Sequence, residues 1–234
     1  MIALLAALSL TQALMALSEG RPGEAQSALE HLDDASALGA SQLDNLRDPR
    51  VAERTLRAAP GSWRSHMLLG IALAKEVPGA FVLRKLSLAG EVKRELEVAV
   101  VLGPREVEAH EALFGFYLHA PGFAGGGEKQ ARREAAVLSS LDAFAGLLAL
   151  AQLDGDFRAA ASEARTSEQI AQLARTSRDP ARFAAALEAR PRDAKLRKEL
   201  SEIAADLGQT ERAHRLRAEA CQIDPLYDSA CHPR

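Results

Sequence analysis

The sequence predicts an all-α protein built from pairs of antiparallel helices. Of its 234 residues, 47% are hydrophobic but only 4% are aromatic, so the core must consist mainly of alanine and leucine on closely spaced helices. A β-sheet would require more valine, isoleucine and aromatic residues. Along the chain, apolar residues recur at three- and four-residue spacing, and proline or glycine separates the segments.

The segment 194–225 contains every signal of one helix pair. Apolar residues recur on one face of each of its two predicted helices. Gly208 separates the helices, because glycine adopts a left-handed turn without strain, and Thr210 is predicted to cap the second helix. Asp224-Pro225 should end that helix. The two apolar faces are Leu196, Leu200, Ile203, Ala204 and Leu207, then Ala213, Leu216, Ala220 and Ile223.

This pattern resembles the tetratricopeptide repeat, a helix-turn-helix unit of about 34 residues with small residues at fixed helix crossings. Looser copies of the pattern cover nearly the whole chain, and in one of them Asp179-Pro180 predicts the start of the second helix. The resemblance implies a right-handed superhelix, or α-solenoid, of antiparallel helix-turn-helix repeats in a single domain, 1–234. The repeat-like units are 3–35, 50–104, 105–140, 141–166, 167–191 and 192–225, followed by a tail at 226–234.

A glycine-rich loop, Pro121–Lys129, interrupts the third unit. Some bacterial tetratricopeptide proteins carry a similar Tyr-x-x-x-Pro-Gly-x-x-Gly-Gly insertion, which Tyr117 to Gly126 match, so the resemblance extends to a bacterial subfamily. Two of the glycines have the separation found in phosphate-binding loops, but Glu128 stands where that motif needs lysine. We interpret the segment as an irregular connection in which Pro121 ends one helix and the glycines let the chain enter the next.

The sequence predicts no catalytic site, no metal site and no cofactor. His110-Glu111 is half of a zinc-protease signature, but Phe114 occupies the position of the second histidine. The other histidines are not at ligand spacing, the chain has no G-x-S-x-G motif, and no cysteine has a histidine and an acid placed convincingly beside it. We therefore interpret His110 as a packed or rim histidine and the protein as a non-enzyme.

The charge balance argues against binding to nucleic acid or to anionic membranes. The chain has 29 basic and 32 acidic residues, a net charge of -3. One basic cluster, at 190–198, is interleaved with Asp193, Glu199 and Glu202. We interpret it as a solvated helix face with ion pairs between residues four apart, rather than as a phosphate site. Its members are Arg190, Arg192, Lys195, Arg197 and Lys198.

Residues 1–17 carry no charge and have two interpretations. Gly20 and Ala25 repeat the offset of Gly208 and Ala213, which favours a first repeat helix and a cytoplasmic protein. An export signal, with residues 1–18 removed and the protein in the periplasm, would ordinarily have basic residues before the apolar run. No membrane span is expected, because the run is shorter than about 20 strongly apolar residues.

The only two cysteines, Cys221 and Cys231, leave the redox compartment open. They pair if the tail folds back, which would suit an exported protein, or they remain two unrelated thiols. Two cysteines near one end of a chain do not decide between these alternatives.

The resemblance implies a binding surface on the concave side of the superhelix, lined by the first helix of each pair. We expect a non-catalytic scaffold that binds a peptide or helix of a partner protein on this face. One alternative is self-assembly into a homo-oligomer through the apolar Leu10 and Leu14, and another is a small-ligand or enzyme-accessory role for the Pro121–Lys129 loop. The predicted lining is Leu10, Leu14, Arg64, Met67, Ile71, Lys75, Glu108, Glu111, Gly115, His119, Ala145, Ala149, Gln152, Lys195, Lys198 and Glu202.

Overall fold

The computed structural model describes residues 61–225 and Cys231, and this part of the chain is all-α. Ten α-helices follow one another there, and none of them is long and apolar enough to span a membrane. The predictions for residues 1–60, including those for Leu10 and Leu14, lie outside the described residues. The helices are α1 Trp63–Glu76, α2 Val82–Leu102, α3 Val107–His119, α4 Glu128–Leu141, α5 Ala143–Asp154, α6 Arg158–Glu163, α7 Ser167–Ser177, α8 Phe183–Ala189, α9 Ala194–Asp206 and α10 Thr210–Ile223, with 3-10 turns at Gly122–Ala124 and Pro180–Arg182.

The chain divides into two compact units. The described part of one unit, residues 61–163, contains α1 to α6, and that of the other, residues 164–225, contains α7 to α10. Within each unit, helices that follow one another in the sequence pack together as helix-turn-helix pairs. The prediction of an all-α protein made of sequential helix pairs is therefore confirmed.

In the first unit, α1, α2 and α3 share one hydrophobic core. Leu88, Val92 and Leu96 of α2 are at most 2% exposed. Because these residues recur every four positions, they lie on one face of the helix. α1 and α3 contribute the remaining large side chains of this core, Met67, Leu69, Leu73 and Leu113.

A second core in the same unit lies between α3, α4 and α5. Ala131, Ala135 and Leu138 of α4 are completely buried. Phe114 of α3 packs against them and is 3% exposed. The two alanines allow the helix backbones to approach closely, and Phe114 and Leu138 are the large side chains buried between them.

A single residue, Asp142, connects α4 to α5 and sets the spacing between them. Its carboxylate accepts a hydrogen bond from the Ala145 backbone N–H at 2.7 Å and so caps α5. The short connection brings the helices so close that a Cβ on Gly146 would lie 2.4 Å from the Cα of Ser139. Gly146 is thus required by the close approach of two backbones.

A histidine and a glutamate join the two helices in each of the first two helix pairs. In α1–α2, Nδ1 of His66 lies 2.7 Å from Oε2 of Glu95. In α3–α4, Nδ1 of His110 lies 2.8 Å from Oε2 of Glu134, and its Nε2 lies 3.3 Å from the Pro104 carbonyl oxygen. His110 is 4% exposed, so its interpretation as a packed histidine is confirmed.

In the second unit, side-chain caps define where α7 and α8 begin. Thr166 and Gln169 form a capping box at the start of α7. The carboxylate of Asp179 accepts a hydrogen bond from the Ala181 backbone N–H at 3.0 Å, and Pro180 follows it at the start of the turn that leads into α8. The helix start predicted at Asp179-Pro180 is confirmed.

The α9–α10 pair confirms the turn at Gly208, whose φ is 72°, but corrects two details. Thr210 does not cap α10, because the Gln209 N–H bonds to the Ala204 carbonyl at 2.8 Å, which ends the turn one residue early and makes Gln209 the N-cap residue. Leu207 is not on the inward face. It follows the last residue of α9 and is 45% exposed.

The two cysteines form a disulfide bond. Cys221 in the last turn of α10 is bonded to Cys231, and their Cα atoms are 5.3 Å apart. Of the two alternatives left open by the sequence, the structure therefore contains the paired one. The bond ties the residue at 231 back to the helix from which the tail leaves.

The helix glycines give a direct test of these close contacts. We expect Gly146→Ala to destabilise the protein by about 2 kcal/mol, because the new Cβ overlaps the Ser139 backbone, which cannot move away like a flexible side chain. Gly90→Ala, in the middle of α2 with open space around its Cβ, should stabilise it by about 1 kcal/mol through higher helix propensity. Urea unfolding of the two variants and the wild type measures both effects. If Gly146→Ala stabilises the protein as much as Gly90→Ala does, the close α4–α5 contact is wrong.

Candidate functional site

An apolar groove of about 550 Å³ lies between α1, α2 and α3, and we call it the α1–α3 groove. α1 and α3 form its sides, α2 forms its floor, and the connections that follow α1 and α3 close one end. Its lining residues are Gly70, Ile71, Ala74, Lys75, Val77, Pro78, Ala89, Val92, Leu96, Ala112, Gly115, Phe116, His119, Ala120 and Pro121.

The groove exists because the residues that face it are small. Gly70 and Ala74 on α1 and Ala112 and Gly115 on α3 present no side chain longer than a methyl group. On the floor, Leu96 already packs so tightly that a Cβ on Gly70 would lie 2.8 Å from its Cδ2. The floor is therefore close-packed, while the space above it between the two first helices stays unfilled.

Charged and polar side chains of the groove occur only at its rim. Lys75 and His119 carry the only polar side chains of the lining, and both are exposed. They lie in the last turns of α1 and α3, where a basic side chain interacts favourably with the helix dipole. The interior of the groove thus offers apolar contact, and one end of its rim is basic.

The structure brings four of the predicted lining residues together in this groove. Ile71 and Lys75 come from α1, and Gly115 and His119 come from α3. They are spaced by four residues on each helix, which puts each pair on one helix face. First helices of consecutive pairs therefore do contribute to one surface.

Other predicted residues of α1 and α3 do not line the groove. Met67 is 4% exposed and belongs to the core, so it presents no surface to a partner. The Arg64 guanidinium lies 4.6 Å from the ring centroid of its neighbour Trp63. Glu108 is exposed and Glu111 is half-buried on α3, both away from the groove lining.

The remaining predicted residues lie on α5 or in the other unit. Ala145 and Ala149 are buried in the core between α3, α4 and α5. Gln152 is half-buried, and its Nε2 donates a hydrogen bond to the Leu148 carbonyl at 3.3 Å. Lys195, Lys198 and Glu202 lie on α9 in the second unit, so they form no part of this groove.

Sequence reasoning missed the floor and the end of the groove. Ala89, Val92 and Leu96 come from α2, whose apolar stripe indicates only a core face. Val77 and Pro78 follow α1 and indicate only a helix break. A Val-Pro or Ala-Pro break directly follows α1 and α3, and it places an apolar turn beside Lys75 and beside His119.

The Pro121–Lys129 loop is an irregular connection, as the sequence predicts. α3 precedes it, and the Gly127 N–H bonds to the Tyr117 carbonyl at 2.8 Å as the chain turns toward α4. A Cβ on Gly126 would lie 1.8 Å from the Ala120 carbonyl oxygen, so only glycine fits there. Through Ala120 and Pro121 the loop borders one end of the groove.

The interpretation of the basic cluster as a solvated face is wrong for two of its members. Arg197 is 9% exposed and Lys198 is 8% exposed. Arg197 Nε donates to Glu219 on α10 at 3.2 Å, a bond between helices that spacing along α9 alone could not reveal. The ion pair between residues four apart does occur at Lys198 and Glu202, 3.8 Å apart.

Comparison with known proteins assigns no family. No protein-family model matches the chain, and no curated protein is significantly similar to it. Within residues 61–225, no three histidine, cysteine, aspartate or glutamate side chains come together as a metal site. A functional assignment therefore has to start from the groove itself.

A hydrogen bond from Tyr117 of α3 to Glu97 of α2 holds the α2–α3 side of the first core. The hydroxyl donates to Oε1 of Glu97 at 3.0 Å. Burial is the largest cause that raises the pKa of Tyr117 to about 12, and this hydrogen bond and the charges of Glu97 and Glu134 raise it further.

This raised pKa predicts a loss of stability in alkali. The unfolded chain releases the tyrosine proton near the ordinary pKa of 10.0, whereas the folded protein keeps it to about pH 12. The stabilising contribution of Tyr117 is therefore complete below pH 10.0 and is lost between pH 10.0 and about 12. The free energy of unfolding, measured in urea across this range, should fall more steeply for the wild type than for Tyr117→Phe. Parallel curves for the two proteins would contradict the assignment.

Proposed function

We propose that the protein is a non-catalytic scaffold that binds an apolar helix or peptide of a partner protein in the α1–α3 groove. The observation that carries this proposal is the groove itself. It is an apolar space of about 550 Å³ between the first helices of two consecutive pairs. Helix-in-groove recognition uses such a surface, because buried apolar side chains supply most of the binding free energy.

The distribution of polar groups supports a protein segment over a small metabolite. Sites for small molecules usually combine apolar walls with a few buried polar groups that fix the orientation of the ligand. In this groove the polar side chains, Lys75 and His119, are exposed at the rim. A segment with apolar side chains one helical turn apart would fill the interior, and an acidic residue at its end would meet these two residues.

The groove also supports a second candidate, a site for a small apolar ligand. Its volume falls in the range of about 300–1,000 Å³ that is common for ligand pockets. Ala120 and Pro121, the first residue of the glycine-rich loop, close one end of the groove, so a bound ligand would contact the start of the loop. This candidate predicts that an apolar metabolite, and no protein, is recovered from the groove.

We further propose that the helix pairs are tetratricopeptide-like repeats that continue into a right-handed superhelix. Two equivalent turns support this: Gly155 and Gly208 have φ angles of 77° and 72°. Ala160 and Ala213, each five residues later, are both at most 9% exposed. Small-angle X-ray scattering tests the superhelix, because a solenoid gives an elongated distance distribution and a globular bundle does not.

Site-specific crosslinking tests the binding proposal. A photoreactive phenylalanine analogue is placed at Gly115 in the groove and, as a matched control, at Gly90 on the exposed face of α2. Both glycines lie inside helices with open space around the position of a Cβ, so the analogue fits at either one. Irradiation in cells that make the protein should join one partner protein to the groove position and leave the control position uncoupled.

The crosslinked segment is then synthesised and its affinity is measured by calorimetry. We expect Gly115→Trp, which fills the groove, to weaken binding by about tenfold or more, and Gly90→Trp to leave it unchanged. The proposal is overturned if the segment binds Gly115→Trp as tightly as the wild type, or if both positions couple to the same proteins.

A further inference from the structure

A second cleft, of about 250 Å³, lies in the other unit between α8 and α10, and we call it the α8–α10 cleft. Its floor is apolar: Phe183 and Leu216 are at most 4% exposed, and Leu187 is half-buried beside them. Two arginines of α10, Arg212 and Arg215, form its opposite wall. Apolar and cationic surfaces therefore meet within one small concave site.

Arg212 is held in place by neutral groups. Its guanidinium lies 5.8 Å from the centroid of the Phe183 ring, and its Nη1 donates a hydrogen bond to Oε1 of Gln209 at 2.8 Å. A ring and an amide orient the guanidinium without neutralising its charge. Arg212 is thus pre-positioned at the cleft, and among residues 61–225 no carboxylate compensates its charge.

The other charges of the cleft leave this excess in place. Arg215 lies three residues after Arg212 on α10, and in residues 61–225 neither arginine pairs with a carboxylate, although Glu211 is four residues before Arg215. Glu219 is the one acidic residue of the lining, and its carboxylate already accepts a hydrogen bond from Arg197 at 3.2 Å. The cleft therefore presents two positive groups to a ligand.

We propose that the α8–α10 cleft binds an acidic-apolar peptide segment of a partner protein. One large apolar side chain would pack on Phe183, Leu187 and Leu216, and a neighbouring carboxylate would accept hydrogen bonds from Arg212 and Arg215. The volume favours a side chain over a whole small molecule, since pockets for such molecules usually exceed about 300 Å³. This site is separate from the α1–α3 groove, and its charge selects a different class of segment.

Fluorescence anisotropy with a defined probe tests the proposal. The probe is the fluorescein-labelled peptide Ser-Gly-Asp-Leu-Glu-Gly-Ser, and a matched peptide carries Asn and Gln in place of Asp and Glu. We expect the full-length protein to bind the acidic peptide about tenfold more tightly than the neutral one. No binding of the acidic peptide, or equal binding of the two, would overturn the proposal.

Three variants assign the binding to this cleft. Arg215→Gln, at an exposed position, should weaken binding by about fivefold, and the double variant Arg212→Gln, Arg215→Gln by about tenfold or more. Arg217→Gln, on the exposed side of the same helix and outside the cleft lining, is the control and should bind as the wild type does. Wild-type binding by Arg215→Gln, whose circular dichroism should match the wild type, would overturn the proposal.

Two further measurements distinguish peptide binding in this cleft from binding in the α1–α3 groove and from simple anion binding. Gly115→Trp, which fills the α1–α3 groove, should bind the probe as the wild type does, so a failure in one site is distinguishable from a failure in the other. Inorganic phosphate should compete only weakly, because it lacks the apolar side chain. Full displacement by low concentrations of phosphate would show a simple anion site and overturn the peptide proposal.

Discussion

Close packing of helix backbones at alanine and glycine is the constraint on which the described structure depends. With few aromatic side chains available, the helices fill space by approaching one another instead of by inserting large residues. Most of the residues that are completely buried at these contacts are alanines, whose side chain is a single methyl group. They include Ala99, Ala109, Ala131, Ala135, Ala160, Ala171, Ala174 and Ala186. The same small residues leave a groove wherever they face each other and no third element covers them, as on α1 and α3.

Contacts between alanine faces do not by themselves fix the register of one helix along its neighbour. The partly buried pairs His66–Glu95 and His110–Glu134 can fix this register, because a hydrogen bond is lost when its partners shift. Each histidine stands four residues before a close-contact or core position, Gly70 or Phe114, so the pairs occupy equivalent places in consecutive helix pairs. We infer that these pairs fix the register of the helices while alanine provides their close contact.

Most of the architecture could be predicted from the sequence, because apolar spacing and turn residues are local signals. The helix pair at 194–225 and the helix start at Asp179-Pro180 follow from them directly. Errors occurred where the decisive contact lies far away in the chain. Arg197 is buried and bonded to Glu219, twenty-two residues later in the chain, and the spacing along α9 cannot reveal that bond.

The candidate site was predictable only in part, for a related reason. The rule that first helices line a surface identified Ile71, Lys75, Gly115 and His119. It could not identify the floor residues of α2, because a core residue and a groove-floor residue have the same apolar spacing. The apolar face of α2 is a groove floor only where the side chains of α1 and α3 are too small to cover it. The sequence of α2 contains no information about the size of those side chains.

The disulfide bears on the two interpretations of residues 1–17. Cytosolic thiols are kept reduced, so a bond between Cys221 and Cys231 is typical of proteins from oxidising compartments and favours the export interpretation. It does not depend on the structure of residues 1–17, which lie outside the described residues. Residues 1–17 lack the basic residues that ordinarily precede an export signal, so the disulfide and the N-terminal run favour different interpretations.

Gly115 differs from the other glycines inside the helices of the first unit in where its open space lies. A glycine inside a helix destabilises it by about 1 kcal/mol relative to alanine, so packing should justify it. Packing does justify Gly146 and Gly70, where a Cβ would overlap a neighbour, but at Gly115 nothing lies within 4 Å of the Cβ position. The open space at Gly90 is bulk surface, and nothing in the structure explains that glycine. At Gly115 the open space is the groove, so any side chain at this position would occupy part of the groove volume.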